Sequence, residues 1–354
     1  MNVLSLFDGS ACTRVALDKL GIPVTKYYAS EIDKYAIKVA MANYPDIVQV
    51  GDVQSISFKE GEIDLLVGGS PCQGFSFAGR QLNFADHRSK LFFEYVRILK
   101  ECKPKYFLLE NVRMKQEYQD VISDALGVQP IAINSRLMSA QNRQRLYWTN
   151  IPDITQPEDK GIVLQDILED GFVDRDKSHC LDANYFKGGN LKSYFEKHRR
   201  QLVFSKDGLC HVGDADINGH DILKRVYHPE GKAPTLTTMG GGHTEPKVLC
   251  GAWRGRYTVD GVRQDHKHKV AGMTTQRLEV RTDGKTNSLT TVQKDNVAVD
   301  VSELQWRKLT PLECERLQTL PDNYTNHVSN TQRYKMLGNG FTVDVIAHIL
   351  KGIK

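Results

Sequence analysis

Five short apolar runs in the first third of the chain each break off at a glycine or an acid. Val3–Phe7 stops at Asp8-Gly9-Ser10, Lys26–Ser30 at Glu31-Ile32-Asp33, and Ile47–Val50 at Gly51-Asp52-Val53. Ile63–Val67 stops at Gly68-Gly69-Ser70-Pro71-Cys72, and Tyr106–Leu109 at Glu110-Asn111-Val112. Runs of this length without polar alternation suit strands covered on both faces. Helix-patterned stretches separate them: Val15, Ala16 and Leu20 share one face, a second helix spans about Tyr35 to Asn43, and a third, Leu91 to Leu99, has Phe92, Tyr95, Val96 and Leu99 as core positions. Strand alternating with helix predicts an α/β fold with a doubly wound, Rossmann-like sheet. Such a sheet delivers all five breaks to its carboxyl edge, where ligands bind.

The residue types at that edge narrow the chemistry. A small-residue turn between the first strand and its helix suits a nucleotide-like ligand at the helix N-terminus. An acid after the second strand, Glu31, is placed to accept from ribose hydroxyls; one after the third, Asp52, can accept from an adenine amino group. Singly, each acid is better explained as a helix N-terminal charge than as a ligand contact. Together they read as an adenosine site. Pro71 fixes its own φ and restrains Ser70, so Cys72 is presented in a defined direction between glycines. It is either a nucleophile or a small buried thiol. Glu110 either serves a substrate held against that thiol or caps the helix that follows from about Lys115. In Gln141-Asn142-Arg143-Gln144-Arg145 the two arginines lie on one face if extended, suiting phosphate or a base carbonyl, or a solvated edge.

Composition excludes several classes. The cysteines at 12, 72, 102, 180, 210, 250 and 314 form no Cys-x-x-Cys pair, so no structural metal and free thiols are expected. Met1–Phe7 lacks a basic lead and a cleavage site, and no apolar stretch reaches membrane-spanning length, so a cytoplasmic protein with no membrane association is expected. A net charge of +4 is compatible with a nucleic-acid partner and with an ordinary solvated surface. At 354 residues, two domains are expected. From about Gly161 to Asp300 the texture turns to glycine, threonine and short β-like runs. An internal echo, Gly231–Thr238 and Gly284–Thr291, points to a β-rich insert. The division drawn is residues 1–160 with 303–354, and 161–302.

Phe7-Asp8-Gly9, Glu31, Asp52, Gly69-Ser70-Pro71-Cys72-Gln73, Glu110-Asn111-Val112 and Gln141-Asn142-Arg143-Gln144-Arg145, in this order, resemble the motifs of the C5-cytosine DNA methyltransferases. Arg307–Gln318 and Tyr334–Phe341 continue the match. Two stretches depart from the family pattern: Ser10-Ala11-Cys12-Thr13 replaces a glycine-richer turn, and Asn339-Gly340-Phe341 replaces the common Asn-Ser-Val. The resemblance implies S-adenosylmethionine as cofactor, S-adenosylhomocysteine as product and no metal. The cofactor would lie against Phe7, Asp8, Gly9, Glu31, Ile32, Asp52, Val53, Gly69, Pro71, Leu91, Asn339 and Phe341. Catalysis would fall to Cys72, Glu110, Arg143 and Arg145, with Gln73, Ser76, Asn111 and Gln141 near a cytosine flipped out of double-stranded DNA. The 161–302 insert would be the target-recognition domain. A monomer would suffice, in a bacterial cell or one infected by a phage, and a restriction endonuclease acting separately would be the cognate partner in a restriction–modification pair. A tRNA cytosine methyltransferase and a catalytically silent DNA-binding homologue are the alternatives; the Cys-Phe-Thr tripeptide usual in the tRNA branch is absent.

Overall fold

The computed structural model describes residues 1–70, 87–189, 194, 197–205 and 305–353, together with the backbone of short strands between 211 and 298. Pro71, Cys72, Gln73, Ser76 and both copies of the internal echo lie outside the described residues.

Seven strands, β1 (Asn2–Leu6), β2 (Lys26–Ser30), β3 (Val48–Gln49), β4 (Leu65–Gly69), β5 (Tyr106–Val112), β6 (Ile131–Asn134) and β7 (Gln144–Thr149), form one sheet in the order β3-β2-β1-β4-β5-β7-β6. β1 to β5 pair in parallel, and β7 runs antiparallel to both β5 and β6. This is the mostly parallel α/β sheet expected. The strand order reverses between β1 and β4, which opens a crevice at their carboxyl ends.

The apolar runs are buried because helices cover the sheet. α1 (Cys12–Lys19), α2 (Lys34–Asn43), α3 (His87–Cys102) and α4 (Gln116–Leu126) alternate with the strands. Phe92 and Tyr95 of α3 are fully buried with Leu4, Leu66, Leu109 and Trp148 in one core. A Cβ on Gly68 would sit 3.0 Å from the Tyr95 ring, so β4 and α3 pack closer than an alanine permits. The C-terminal segment returns to this core through α5 (Pro311–Leu317), α6 (Asn330–Asn339) and α7 (Val343–Leu350). α5 starts at a capping box between Thr310 and Glu313, with Pro311 in its first turn. α7 buries Val343, Val345, Ile346, Ile349 and Leu350.

Two boundaries differ from the sequence pattern, and the difference bears on the site. β4 continues through Gly68 and Gly69, and β5 continues through Glu110 to Val112. The antiparallel partner β7 extends the ladder, pairing Tyr147 with Glu110 and Arg145 with Val112. Glu110 is therefore held within a strand rather than in the loop after it.

Packing divides the chain into two compact units, one of residues 1–169, 175–201 and 308–354, the other of 170–174 and 202–307. In the second, β9 (His211–Asp214) pairs antiparallel with β10 (Arg225–Tyr227), and β11 (Cys250–Arg256) with β14 (Thr275–Val280) and β15 (Asn296–Ala298). β8 (Leu202–Ser205) joins β16 (Gln305–Lys308), and β12 (Thr258–Val259) joins β13 (Val262–Arg263).

Candidate active site

A cavity of about 740 Å³ opens at the carboxyl ends of β1, β2, β4 and β5, lined by residues of the first unit alone. Its size falls in the about 300–1,000 Å³ range of small-molecule sites. β1 leaves the sheet through Phe7, Gly9 and Ala11, each in the left-handed region (φ 56°, 62° and 62°). A Cβ on Gly9 would meet nothing within 4 Å, so conformation, not crowding, requires the glycine. Glu31 accepts from the Gly9 amide at Oε2 (2.8 Å) and from the Ile32 and Asp33 amides at Oε1 (2.8 Å each). Three backbone donors keep it aimed, and Oε2 retains a lone pair for a ligand hydroxyl. Asp52 caps the next turn, accepting from Gln54 N at Oδ1 (3.0 Å). Between these carboxylates Ile32 is 75% exposed, an apolar surface beside two hydrogen-bond acceptors.

Asp8 turns away from that pattern. Oδ1 accepts from Tyr27 Oη (2.6 Å), while Oδ2 is buried with no hydrogen-bond partner among the described residues. Burial raises its carboxyl to about 7, against the lowering effect of Ser5 and Tyr27 and with a further push from Glu31. Cys12 also lines the cavity, and burial lifts its thiol to about 11, which leaves it an inert packing group.

The other end of the cavity is built around Glu110. Gly69 lies directly opposite it in the β4–β5 ladder. A Cβ on Gly69 would stand 2.8 Å from the Phe341 ring and 3.3 Å from Glu110 Oε2, so the glycine leaves room for both. Arg145 Nε is 3.0 Å from Glu110 Oε1. Asn111 donates to Ser70 Oγ (3.1 Å), tying β5 to the first residue after β4. Tyr147, buried beside Glu110, is raised by desolvation and by that carboxylate, so it stays neutral.

Arg143 and Gln141 are placed otherwise than the sequence suggested. Arg143 is 2% exposed and spends its guanidinium on the carbonyls of Leu181 (3.0 Å), Gly338 (3.3 Å) and Gly340 (2.9 Å). Arg143 lines the cavity as Arg145 does, but it precedes β7 and its guanidinium is turned to these carbonyls. Gln141 is fully buried, does not line the cavity, and donates to the Leu317 carbonyl (2.8 Å) and Gln318 Oε1 (2.9 Å). Both side chains meet segments far along the chain, which their local spacing could not reveal. One wall of the cavity, Cys180-Leu181-Asp182-Ala183, comes from the stretch expected in the insert, and it packs with the first unit. The accessible Cys180 thiol would be raised by the surrounding protein, yet Arg143 and Arg145 beside it bring it below the usual thiol value.

The model of the C-5 cytosine-specific DNA methylases matches residues 1–354. The chain belongs to that family. A phage SPR protein of Bacillus, named orphan methyltransferase M.SPRI, is 30% identical over 99% of this chain and 97% of its own length. Type II methyltransferase M.BanI of Aneurinibacillus aneurinilyticus is 29% identical over 99% and 95%. Among solved structures, the Entamoeba histolytica methyltransferase EhMeth superposes with a TM-score of 0.62 at 16% identity, covering 100% of this chain and 99% of that one. The S. pombe Dnmt2 methyltransferase gives 0.51 at 15% identity over 99% and 98%. At such identities these likenesses speak for the fold.

For a cytosine C5 methylase, the described residues gather as follows. Phe7, Asp8, Gly9, Glu31, Ile32, Asp52, Val53, Gly69, Leu91, Asn339 and Phe341 all line this cavity, as do Glu110, Asn111, Arg143 and Arg145. The departure at Ser10–Thr13 has a packing counterpart, since a Cβ on Gly340 would lie 3.5 Å from Cys12 Sγ. The two unusual stretches thus meet each other. Among the described residues no group of three or more His, Cys, Asp or Glu is arranged to hold a metal, and no helix is long and apolar enough to cross a membrane.

Proposed function

We propose that this methylase binds S-adenosylmethionine in the cavity and methylates C5 of a cytosine flipped out of a specific double-stranded DNA sequence. The observation that carries the reading is the placing of Glu110, braced by Arg145, in the same cavity as the capped carboxylates of Glu31 and Asp52. The residues present fit the cofactor: Glu31 has a lone pair left for a ribose hydroxyl, Asp52 would accept from an adenine amino group, and exposed Ile32 would cover the ring. Bound S-adenosylmethionine would supply the electrophilic methyl that C5 takes.

Cys72, two residues beyond Ser70, is the nucleophile in this reading. Its thiolate adds to C6, and the electron pair of the C5–C6 double bond moves through the ring toward N3. Glu110 holds N3 and the 4-amino edge and delivers a proton there, so that the adduct is a neutral enamine with a nucleophilic C5. Arg145 keeps Glu110 aimed and presents positive charge to the base carbonyl. After methylation a base takes the C5 proton, the double bond re-forms, the Cys72 thiolate leaves and N3 returns its proton to Glu110. Flipping is required because neither face of C6 is open to a thiol within the stack. The second unit, carrying Arg254, Arg256, Gln276 and Arg277 on the paired strands β11 and β14, would read the sequence.

Labelled S-adenosylmethionine separates the readings. Methyl incorporation into duplex DNA of mixed sequence is expected, and bisulfite sequencing of DNA from expressing cells would give the context. Incorporation into tRNA alone would overturn the DNA substrate; incorporation into neither would point to a silent homologue. Cys72→Ser is expected to abolish turnover and leave S-adenosylhomocysteine binding intact. Loss of that binding would make Cys72 a structural residue.

A further inference from the structure

Gln141-Asn142-Arg143 forms a socket for the end of the chain. Gln141 grips Gln318, and Gln318 donates Nε2 to the Leu337 carbonyl (2.6 Å) and accepts at Oε1 from Thr342 Oγ1 (2.9 Å). Ser135 donates to the same Thr342 hydroxyl (2.9 Å). Arg143 completes the ring through the carbonyls of Gly338 and Gly340, which flank Asn339, and through Leu181 on the opposite wall.

Those two carbonyls belong to the end of α6, where backbone acceptors lack partners within the helix. A buried guanidinium there satisfies them and answers the negative end of the helix dipole. The fit is close: a Cβ on Gly338 would collide with the backbone of Asp182 and Ala183. Asn339 and Phe341, both cavity-lining, take their positions from this junction. Two residues further on, Arg145 braces Glu110.

We propose that Arg143 is a positioning residue for the Asn339–Phe341 wall of the cavity, capping α6 so that these two residues are held in place against the cofactor, while Arg145 alone serves the catalytic carboxylate. The inference rests on the reading of the cavity as the S-adenosylmethionine site. It divides the labour of two neighbouring arginines: one acts on cofactor binding, the other on turnover.

Calorimetry with S-adenosylhomocysteine on the full chain, alongside steady-state kinetics, tests the division. Arg143→Ala is expected to bind about tenfold more weakly, the equivalent of one buried acceptor left without its donor. KM for S-adenosylmethionine should rise more than kcat falls, and KM for DNA should hold. Arg143→Lys should fall between, and added methylguanidine should restore part of the alanine variant's binding, which a general loss of fold would not allow. Arg145→Ala should bind as tightly as the unchanged protein and lose turnover. An Arg143→Ala protein with unchanged binding and lost turnover would overturn the proposal and return Arg143 to the nucleotide. Loss of binding in both variants, without rescue, would overturn it too. If the unchanged protein binds no S-adenosylhomocysteine, the function reading falls first and this inference with it; a difference confined to the variants bears on Arg143 alone.

Discussion

The two ends of the cavity are held in different ways. At the Glu31–Asp52 end, each carboxylate is fixed by backbone amides from its own turn or from the neighbouring strand end. At the Glu110 end, the contacts come from remote chain: Arg145 reaches across a strand pair, and Arg143 bonds carbonyls 38, 195 and 197 residues away. Local anchoring needs only the strand-turn-helix unit and forms with it. The anchoring through Gly338 and Gly340 exists only once the C-terminal segment has returned. The first end is thereby a property of the motif, the second a property of the closed fold.

The largest test concerns the one acid at the locally held end that is not well satisfied. Asp8 has one buried oxygen without a partner among the described residues and a carboxyl raised to about 7, so the folded chain holds a proton there that the unfolded chain releases near its ordinary value of 3.8. In that window the native state binds more protons than the unfolded state, and stability falls as pH rises. Between about pH 4 and about pH 7 the loss is about 3 kcal/mol, and it levels off above that. Urea melts across this range should show the decline, and Asp8→Asn should flatten it while still accepting from Tyr27. A variant with the original slope would assign the pH dependence elsewhere and restore the contrast between the two ends.

Gly338→Ala attacks the remotely held end. Its Cβ would meet backbone of Asp182 and Ala183, which has no rotamer to yield. Overpacking of this kind costs about 2 kcal/mol. The melting midpoint should drop and S-adenosylhomocysteine binding weaken together, because the same junction sets Asn339 and Phe341. Unchanged binding in a destabilised protein would show that the junction supports the fold without shaping the cavity.

That contrast also explains what could be read from residues alone. Asp8, Glu31, Asp52 and Glu110 were legible because an apolar run ending in an acid fixes both the strand and the edge at which the acid emerges. Glu110 lying inside β5 was not, since the antiparallel partner β7 extends the strand past its apolar stretch. The inward turn of Arg143, the burial of Gln141 and the Cys180–Ala183 wall were hidden for the same physical reason. Each depends on a partner more than thirty residues away, and spacing within a motif carries no information about that partner.

Glu31→Gln gives the smallest expected effect and the sharpest reading of the local end. The carboxylate accepts three amides and still offers a lone pair; a side-chain amide has one accepting oxygen and a nitrogen that can only donate. Either Gly9 N–H or the Ile32 and Asp33 pair must then face a donor. Because these groups lie at a partly open rim, water can take up the loss, and the cost is about 1 kcal/mol. S-adenosylhomocysteine affinity should fall by about tenfold, from the weakened ribose contact and the loosened Gly9 turn together. Adenine alone, which carries no ribose, should lose less. If adenine and S-adenosylhomocysteine weaken equally, Glu31 acts through the turn and not through the sugar, and the local end is then a scaffold whose shape, more than its charge, selects the ligand.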